Sequence, residues 1–166
     1  MVLFFDETGI TLDPTIAAQW AIKGHQPQFP SDSRRERVHL GGLVNPVTGD
    51  AFIQRIEKGN SASFIGILAW IAGLYHHYNT ISLYVDNARW HKSSIVRFYL
   101  SLQSQIVVLF IPPYSPNLNP VEWEWRELRR LTTHARRFQS GDECYQAVEN
   151  HFLSRKTPNP MYRQVI

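Results

Sequence analysis

Residues 112–130 read PPYSPNLNPVEWEWRELRR. The first half is built from turn formers, and the second packs tryptophans and glutamates among arginines. Pro120 suits the first position of a helix, where its missing N–H costs nothing and its φ is already helical. Asn119 before it reads as the N-cap, and Glu122 as the acid of a capping box. Arg126, one turn on, is placed to pair with Glu122. Val121, Trp125 and Leu128 share one apolar stripe, with Glu122 and Glu124 flanking it on opposite sides. Two readings of Glu122 stay open on this evidence. It caps its own helix, or the rigid turn aims it at something beyond that helix.

Working outward from that turn, the β-branched run IVVLFI at 106–111 reads as a buried strand, and ISLYV at 81–85 as another. Between them, residues 92–103 carry apolar groups at helical spacing through Ile95, Phe98, Tyr99 and Leu102. A longer helix is expected through Phe64, Ile67, Leu68, Ile71, Leu74, Tyr75 and Tyr78, started by SAS. Upstream, VHLGGLV and AFIQRI flank the turn NPVTGD, which predicts a hairpin over 38–56. VLFF at 2–5 reads as a short strand that stops at Asp6, and only a short irregular strand is expected over 20–30. A last amphipathic helix covers 140–154. Hairpin first and strand–helix alternation second give an α/β fold, with a mixed five-stranded sheet and helices on its faces.

The chain has 166 residues, 43% hydrophobic and 19% charged, which fits one globular domain rather than a disordered segment. Its net charge of +3 is weak evidence for an anionic partner. A single cysteine, Cys144, excludes an internal disulfide and a cysteine-rich zinc site. The longest apolar run, from Phe64, is broken by glycines and too short to span a bilayer. No secretory leader is legible, so a cytoplasmic protein with no membrane partner is expected.

Two of the expected strands close on aspartate, LFFD at Asp6 and LYVD at Asp86. Ligands of open α/β sheets sit beyond the carboxyl ends of the strands. Neighbouring strands would bring these carboxylates together, where like charges repel unless a cation lies between them. A hard divalent ion with oxygen ligands resolves that repulsion. Each aspartate can equally end its strand and do nothing more. If the cluster exists, the empty site is strained, and Asp86→Asn is expected to keep or raise the melting temperature without metal.

Taken together, FFDETG, LYVDNARWHKS and PPYSPNLNPVEWEWRELRR resemble the catalytic domain of insertion-sequence transposases related to the mariner group. Those are DDE transposases with an RNase H-like fold. The likeness runs from Asp6 to the neighbourhood of Arg137, and the third block is its most specific part. Matched position by position, Asp6, Asp86 and Glu122 fall on the family's three catalytic, metal-binding acids. The resemblance implies two Mg²⁺ or Mn²⁺ ions, endonucleolytic hydrolysis at transposon ends, and attack of the freed 3′-hydroxyl on target DNA. It makes Asn87 and His91 active-site support, although His91 can also be a helix-start histidine. Arg34, Arg35 and Arg37 in one loop, with Arg126, Arg129, Arg130, Arg136 and Arg137 along and beyond the third helix, then read as DNA phosphate contacts. Trp90, Trp123 and Trp125 read as core. Glu124 and Glu127 are expected to face solvent or pair with arginine.

Complete relatives carry helix-turn-helix modules ahead of this domain, and none fits between Met1 and Asp6. Residues 1–166 are therefore expected to form a single DDE catalytic domain, from a split reading frame or a truncated copy. Its partners would be DNA, a second copy of the chain, or a separate helix-turn-helix subunit, at the nucleoid if the source is bacterial. Two other functions fit the residues: a catalytically incomplete DNA-binding or dimerisation module derived from a transposase, and an unspecialised RNase H-like nuclease.

Overall fold

A computed structural model of the chain describes residues 1–14, 22–25, 36–113, 115–155 and 162. Five strands form one sheet: β1 (Val2–Thr11), β2 (Arg37–Val44), β3 (Ala51–Ile56), β4 (Ile81–Val85) and β5 (Ile106–Phe110). Their order across the sheet is β3-β2-β1-β4-β5. The hairpin β2–β3 and the β1–β2 pair are antiparallel, while β1–β4 and β4–β5 are parallel. Four α-helices cross the faces: α1 (Ser61–Leu74), α2 (Ser94–Ser101), α3 (Val121–Leu128) and α4 (Gly141–Leu153). This is the mixed sheet that the sequence pattern predicts. The irregular strand expected over 20–30 falls mostly outside the described residues.

Strand β1 differs from its expected length. The sequence places its end at Asp6, but β1 runs on to Thr11. Its first residues, Val2 to Phe4, pair with β4, and from Phe4 to Thr11 it pairs with β2. Asp and Gly in DETG are turn formers locally, yet an antiparallel partner satisfies the backbone and keeps it extended. Asp6 therefore lies inside a strand, at the point where β4 has run out.

Side chains alternate along β1 and divide the core in two. Phe4 joins Val44, Val121, Trp125 and Leu128 in a cluster under α3 and α4. Leu3 and Phe5 join Phe64, Ile67, Leu68 and Val96 in a cluster under α1 and α2. Helix α1 is capped at its start, where the Asn60 side chain accepts the Ser63 N–H at 2.9 Å.

The Gly41-Gly42 pair in β2 lets both layers press close. Gly42 is opposite Asp6 in the β1–β2 register. A Cβ on Gly42 would lie 2.4 Å from the Trp125 ring and 2.9 Å from Val121 Cγ1. A Cβ on Gly41 would lie 2.9 Å from the Phe5 ring, on the other face. Glycine is required at 42 because the Trp125 indole occupies the space where a side chain would stand. Overpacking of this kind costs about 1–3 kcal/mol. Gly42→Ala is therefore expected to lose that much stability in urea unfolding. Gly66→Ala, in α1 with nothing within 4 Å of the added Cβ, should gain roughly 0.5–1 kcal/mol. Equal losses at both sites would show that packing of Trp125 on β2 is not the constraint.

Candidate active site

The parallel register between β1 and β4 sets Val2 against Ser82, Leu3 against Leu83 and Phe4 against Tyr84. Continued two residues further, it sets Asp6 level with Asp86, the first residue after β4. Asp6 leaves β1 on the face of Phe4, toward α3. Its Oδ2 accepts the Trp125 Nε1–H at 3.0 Å. Asp86 Oδ1 accepts the Ala88 N–H at 3.0 Å and stands 2.9 Å from His91 Nδ1.

Glu122 arrives from the far side of the proline turn. Asn119 fastens that turn to β1: its Nδ2 donates to the Phe5 carbonyl at 3.1 Å, and its Oδ1 accepts the Val121 N–H at 3.2 Å. Asn119 thus caps the helix as expected, with Pro120 after it already in helical conformation, and the same side chain ties the turn to the residue before Asp6. Glu122 lines a cavity of about 270 Å³ together with Asp6, Asp86, Asn87, Pro112, Ser115 and Asn119. The three acids singled out in the sequence thus face one space, from a strand interior, a strand end and a helix start.

The chain belongs to the DDE superfamily endonuclease family. The family's sequence pattern matches residues 1–144. The insertion element IS630 uncharacterized 39 kDa protein of Shigella sonnei is 31% identical over 159 residues, covering 96% of this chain. The chain spans only 46% of that relative's length. Among solved structures, the catalytic domain of Mos1 mariner transposase superposes at a TM-score of 0.68 and 16% identity, covering 99% of this chain and 74% of that one. A mariner Mos1 paired end complex with Mg gives a TM-score of 0.76 at 17% identity, covering 99% of this chain and 52% of that one. The fold is the RNase H-like fold of those catalytic domains.

Within the DDE domain, Asn87 and His91, the residues expected to support the site, make separate contacts. Asn87 donates to the Ile111 carbonyl and accepts from Lys92, which joins the ends of β4 and β5 beneath the cavity. His91 is 2% exposed, packed on Phe64 with ring centroids 4.2 Å apart. It is therefore neither a surface nor a free helix-start histidine. Its Nε2 lies 3.5 Å from Glu7 Oε2, so a carboxylate stands at each ring nitrogen. Burial disfavours the imidazolium, but the bond to Asp86 and the nearby Glu7 carboxylate override it and push the His91 pKa up to about 9. In return, the His91 bond holds the Asp86 carboxyl below its ordinary range, against burial and with help from Ala88.

Asp6 behaves in the opposite way. Burial, then the charge of Glu122, push its pKa up to about 7, with Asp86 adding to them and the Trp125 bond opposing. The strain expected of a carboxylate cluster is real, but it falls on Asp6 and not on Asp86. Among the described residues, no three acidic, histidine or cysteine side chains are drawn tightly enough together to form a ready-made ion site. The donor set nonetheless suits a hard divalent cation, since all three groups are oxygen acids and Asp6 is destabilised by its like-charged neighbours.

The arginines divide. Arg34 and Arg35 lie outside the described residues. Arg37, Arg126 and Arg130 are exposed. Arg129, in a π-helical turn (Arg129–Thr133) that prolongs α3, donates to Thr8 Oγ1 at 2.6 Å and is part of the scaffold beside Asp6. Arg136 lies over the Phe138 ring and 3.7 Å from Glu143. Arg137 is half-buried.

Sequence reasoning missed three contributors: Glu7, hidden inside an apparent turn; Trp125, read as core alone; and the partners of Glu124. Trp125 is core, 1% exposed, and also binds Asp6. Glu124 is 0% exposed and arginine-paired as expected, but with the distant Arg155 and with the Tyr162 hydroxyl. Trp123 stacks on Tyr162, so the same contact covers the outer side of α3. Among the described residues, no helix is long and apolar enough to cross a membrane.

A carboxyl whose folded pKa lies above its unfolded value of 3.8 favours folding while it is protonated. That contribution is complete below about pH 4 and is lost as pH rises toward 7. In EDTA, Asp6→Asn should therefore melt above wild type at pH 8 and close to it at pH 4.5. Asp86→Asn should melt below wild type at pH 8, because His91 loses its partner. A thermal shift series over pH checks both, and an Asp6→Asn advantage that does not grow with pH would contradict the assignment.

Proposed function

We propose that the chain is the catalytic domain of a transposase, hydrolysing phosphodiester bonds at transposon ends and joining the freed 3′-hydroxyl to target DNA. The observation that carries this reading is the convergence of Asp6, Asp86 and Glu122 on one solvent-open cavity. The match to the DDE superfamily endonuclease family supports it, as does the fold shared with a mariner Mos1 paired end complex with Mg. Asp6, Asp86 and Glu122 would hold two Mg²⁺ or Mn²⁺ ions. Such ions, when bound, activate a water and stabilise the leaving oxygen of an in-line displacement.

The chain's own residues supply position. Trp125 fixes one oxygen of Asp6 and leaves the other for the cavity. Asn119 holds the start of α3 against β1, so Glu122 keeps its distance from both aspartates. Pro112 and Pro113 stiffen the wall opposite. No covalent intermediate on the protein is needed, because positioning and charge stabilisation account for phosphoryl chemistry of this kind. Such a reaction would put the protein at DNA.

Asp6→Asn, Asp86→Asn and Glu122→Gln should each slow Mg²⁺-dependent nicking of supercoiled plasmid by more than the roughly 100-fold that loss of an outer-shell partner costs. Nicking that persists in EDTA, or in Glu122→Gln, would sink the metal reading. A chain that binds DNA but never nicks it would favour the non-catalytic module.

Duplex DNA is expected to bind through its phosphates, with sequence reading left to a second module or subunit. Exposed Arg126 and Arg130 lie on the side of α3 and its π-helical turn that leaves the core. Replacing both with alanine should weaken all duplexes alike and reduce the log–log salt slope by about 0.9 per lost contact. Fluorescence anisotropy at several salt concentrations measures this. A preference above about tenfold for a transposon-end duplex over a scrambled one would show that this domain itself reads sequence.

A further inference from the structure

Strand alternation sends the neighbours Asp6 and Glu7 to opposite faces of β1. Asp6 meets Trp125 under α3, while Glu7 meets His91 and Trp90 on the α1 side. We propose that Glu7 is a positioning residue, acting through His91 to fix the orientation of the Asp86 carboxylate. The inference rests on the metal-dependent reading of the site above and adds a residue to it.

Asp86 needs such a device. It is the first residue beyond β4, its side chain is 55% exposed, and no strand partner restrains it. Its restraints are the Ala88 N–H and the His91 ring, and both engage Oδ1, which leaves Oδ2 for the cavity. His91 can restrain it only if its own ring is held. The ring lies among Phe5, Phe64 and Trp90, which fix its plane but offer no bond to the far nitrogen.

Glu7 fills that role. Its Oε2 stands 3.5 Å from His91 Nε2, at ion-pair rather than hydrogen-bond distance, and accepts the Trp90 Nε1–H at 3.2 Å. Its side chain is 13% exposed, and Oε1 is buried without a hydrogen-bond partner. A carboxylate so placed is costly to bury. Strand pairing gives no reason for it, since Glu7 is opposite Gly41 and its backbone is already satisfied. The charge makes sense as an anchor for the imidazole, which cannot turn without losing a carboxylate at each end. This is the carboxylate–histidine arrangement that orients ligands from behind a metal centre, here with an aspartate as the oriented group.

A rival exists in direct ligation. Glu7 also borders a second cavity, of about 370 Å³, beside Asp6 and Asp86. A double-mutant cycle separates the two. Mn²⁺ affinity is measured by calorimetry on the folded chain for wild type, Glu7→Gln, Glu7→Ala, His91→Ala, the Glu7→Ala/His91→Ala double variant and Asp86→Ala. Melting in EDTA reports the fold of each, and Glu7→Gln keeps the size of the side chain should Glu7→Ala not fold. Glu7→Ala and His91→Ala should each weaken Mn²⁺ binding about tenfold, the low end for outer-shell partners. Glu7→Gln should weaken it less, and the double variant should bind within about twofold of His91→Ala. A full tenfold further loss in the double variant would make Glu7 a direct ligand and overturn the proposal. Glu7 variants with wild-type affinity, beside an Asp86→Ala that no longer binds, would overturn the positioning role alone. Wild type that binds no Mn²⁺, or Asp86→Ala that binds as well as wild type, would overturn the metal reading and this inference with it.

Discussion

The Trp125 indole lies across Gly42 and donates its N–H to Asp6, and the rest of the site is arranged around that contact. It is a packing interaction and a polar one in the same side chain. The ring fills the space left by the missing side chain at Gly42, opposite Asp6 in the sheet. Its nitrogen partly offsets the penalty of a carboxylate in a largely buried strand interior. Because Trp125 and Glu122 share the short helix α3, the contact that seats the helix on the sheet also sets how far Glu122 stands from Asp6.

Helix α3 is held at more than this one point. Asn119 ties its leading turn to the Phe5 carbonyl, one residue before Asp6. On its outer side, Glu124 is completely buried and answered by Arg155 and Tyr162. A buried charge pair of this kind adds little net stability, but breaking it leaves an uncompensated charge. Its value here is geometric, since it joins residues near the end of the chain to the helix that bears the third acid. Arg129 adds a further tie, from the π-helical turn to Thr8 on β1. Such turns recur next to functional sites.

The two aspartates are supported in different ways, and their electrostatics follow from that. Asp86 sits at the rim, with a positively charged imidazole behind it, so its charge is favoured. Asp6 sits deeper, with only neutral donors, the Trp125 indole and the Glu7 backbone N–H, and two acidic neighbours, so its charge is opposed. An ion bound between them would relieve Asp6 most. On the proposed metal-dependent reading, the strain on Asp6 would favour a cation there while Asp86 is held ready.

Much of this was legible in the residues. The periodicities of 64–74, 81–85 and 106–110 announced helix and strands because burial of one face or two leaves a pattern in the sequence, although α1 stops at Leu74, short of the expected Tyr78. Local rules alone account for Asp6 and Asp86 as strand ends and for Glu122 as a capping acid, so these three were legible as a set because the blocks around them resemble a known family. The end of β1 was misread because a strand partner thirty-odd residues away leaves no mark on DETG itself; that pairing is a tertiary contact (Asp6 with Gly42, Glu7 with Gly41). Asn119 keeps the capping role that its local pattern announces, but its second bond, to Phe5 across the fold, left no mark in the sequence. Sequence determined the elements and their order, since these follow from spacing and residue type, and it singled out the three acids through the resemblance of the blocks around them. Only the tertiary structure decided which aspartate bears the strain, that Trp125 is a ligand of Asp6 as well as core, and that Glu7 stands behind His91. Those facts depend on distances between segments far apart in the chain, which no local pattern encodes.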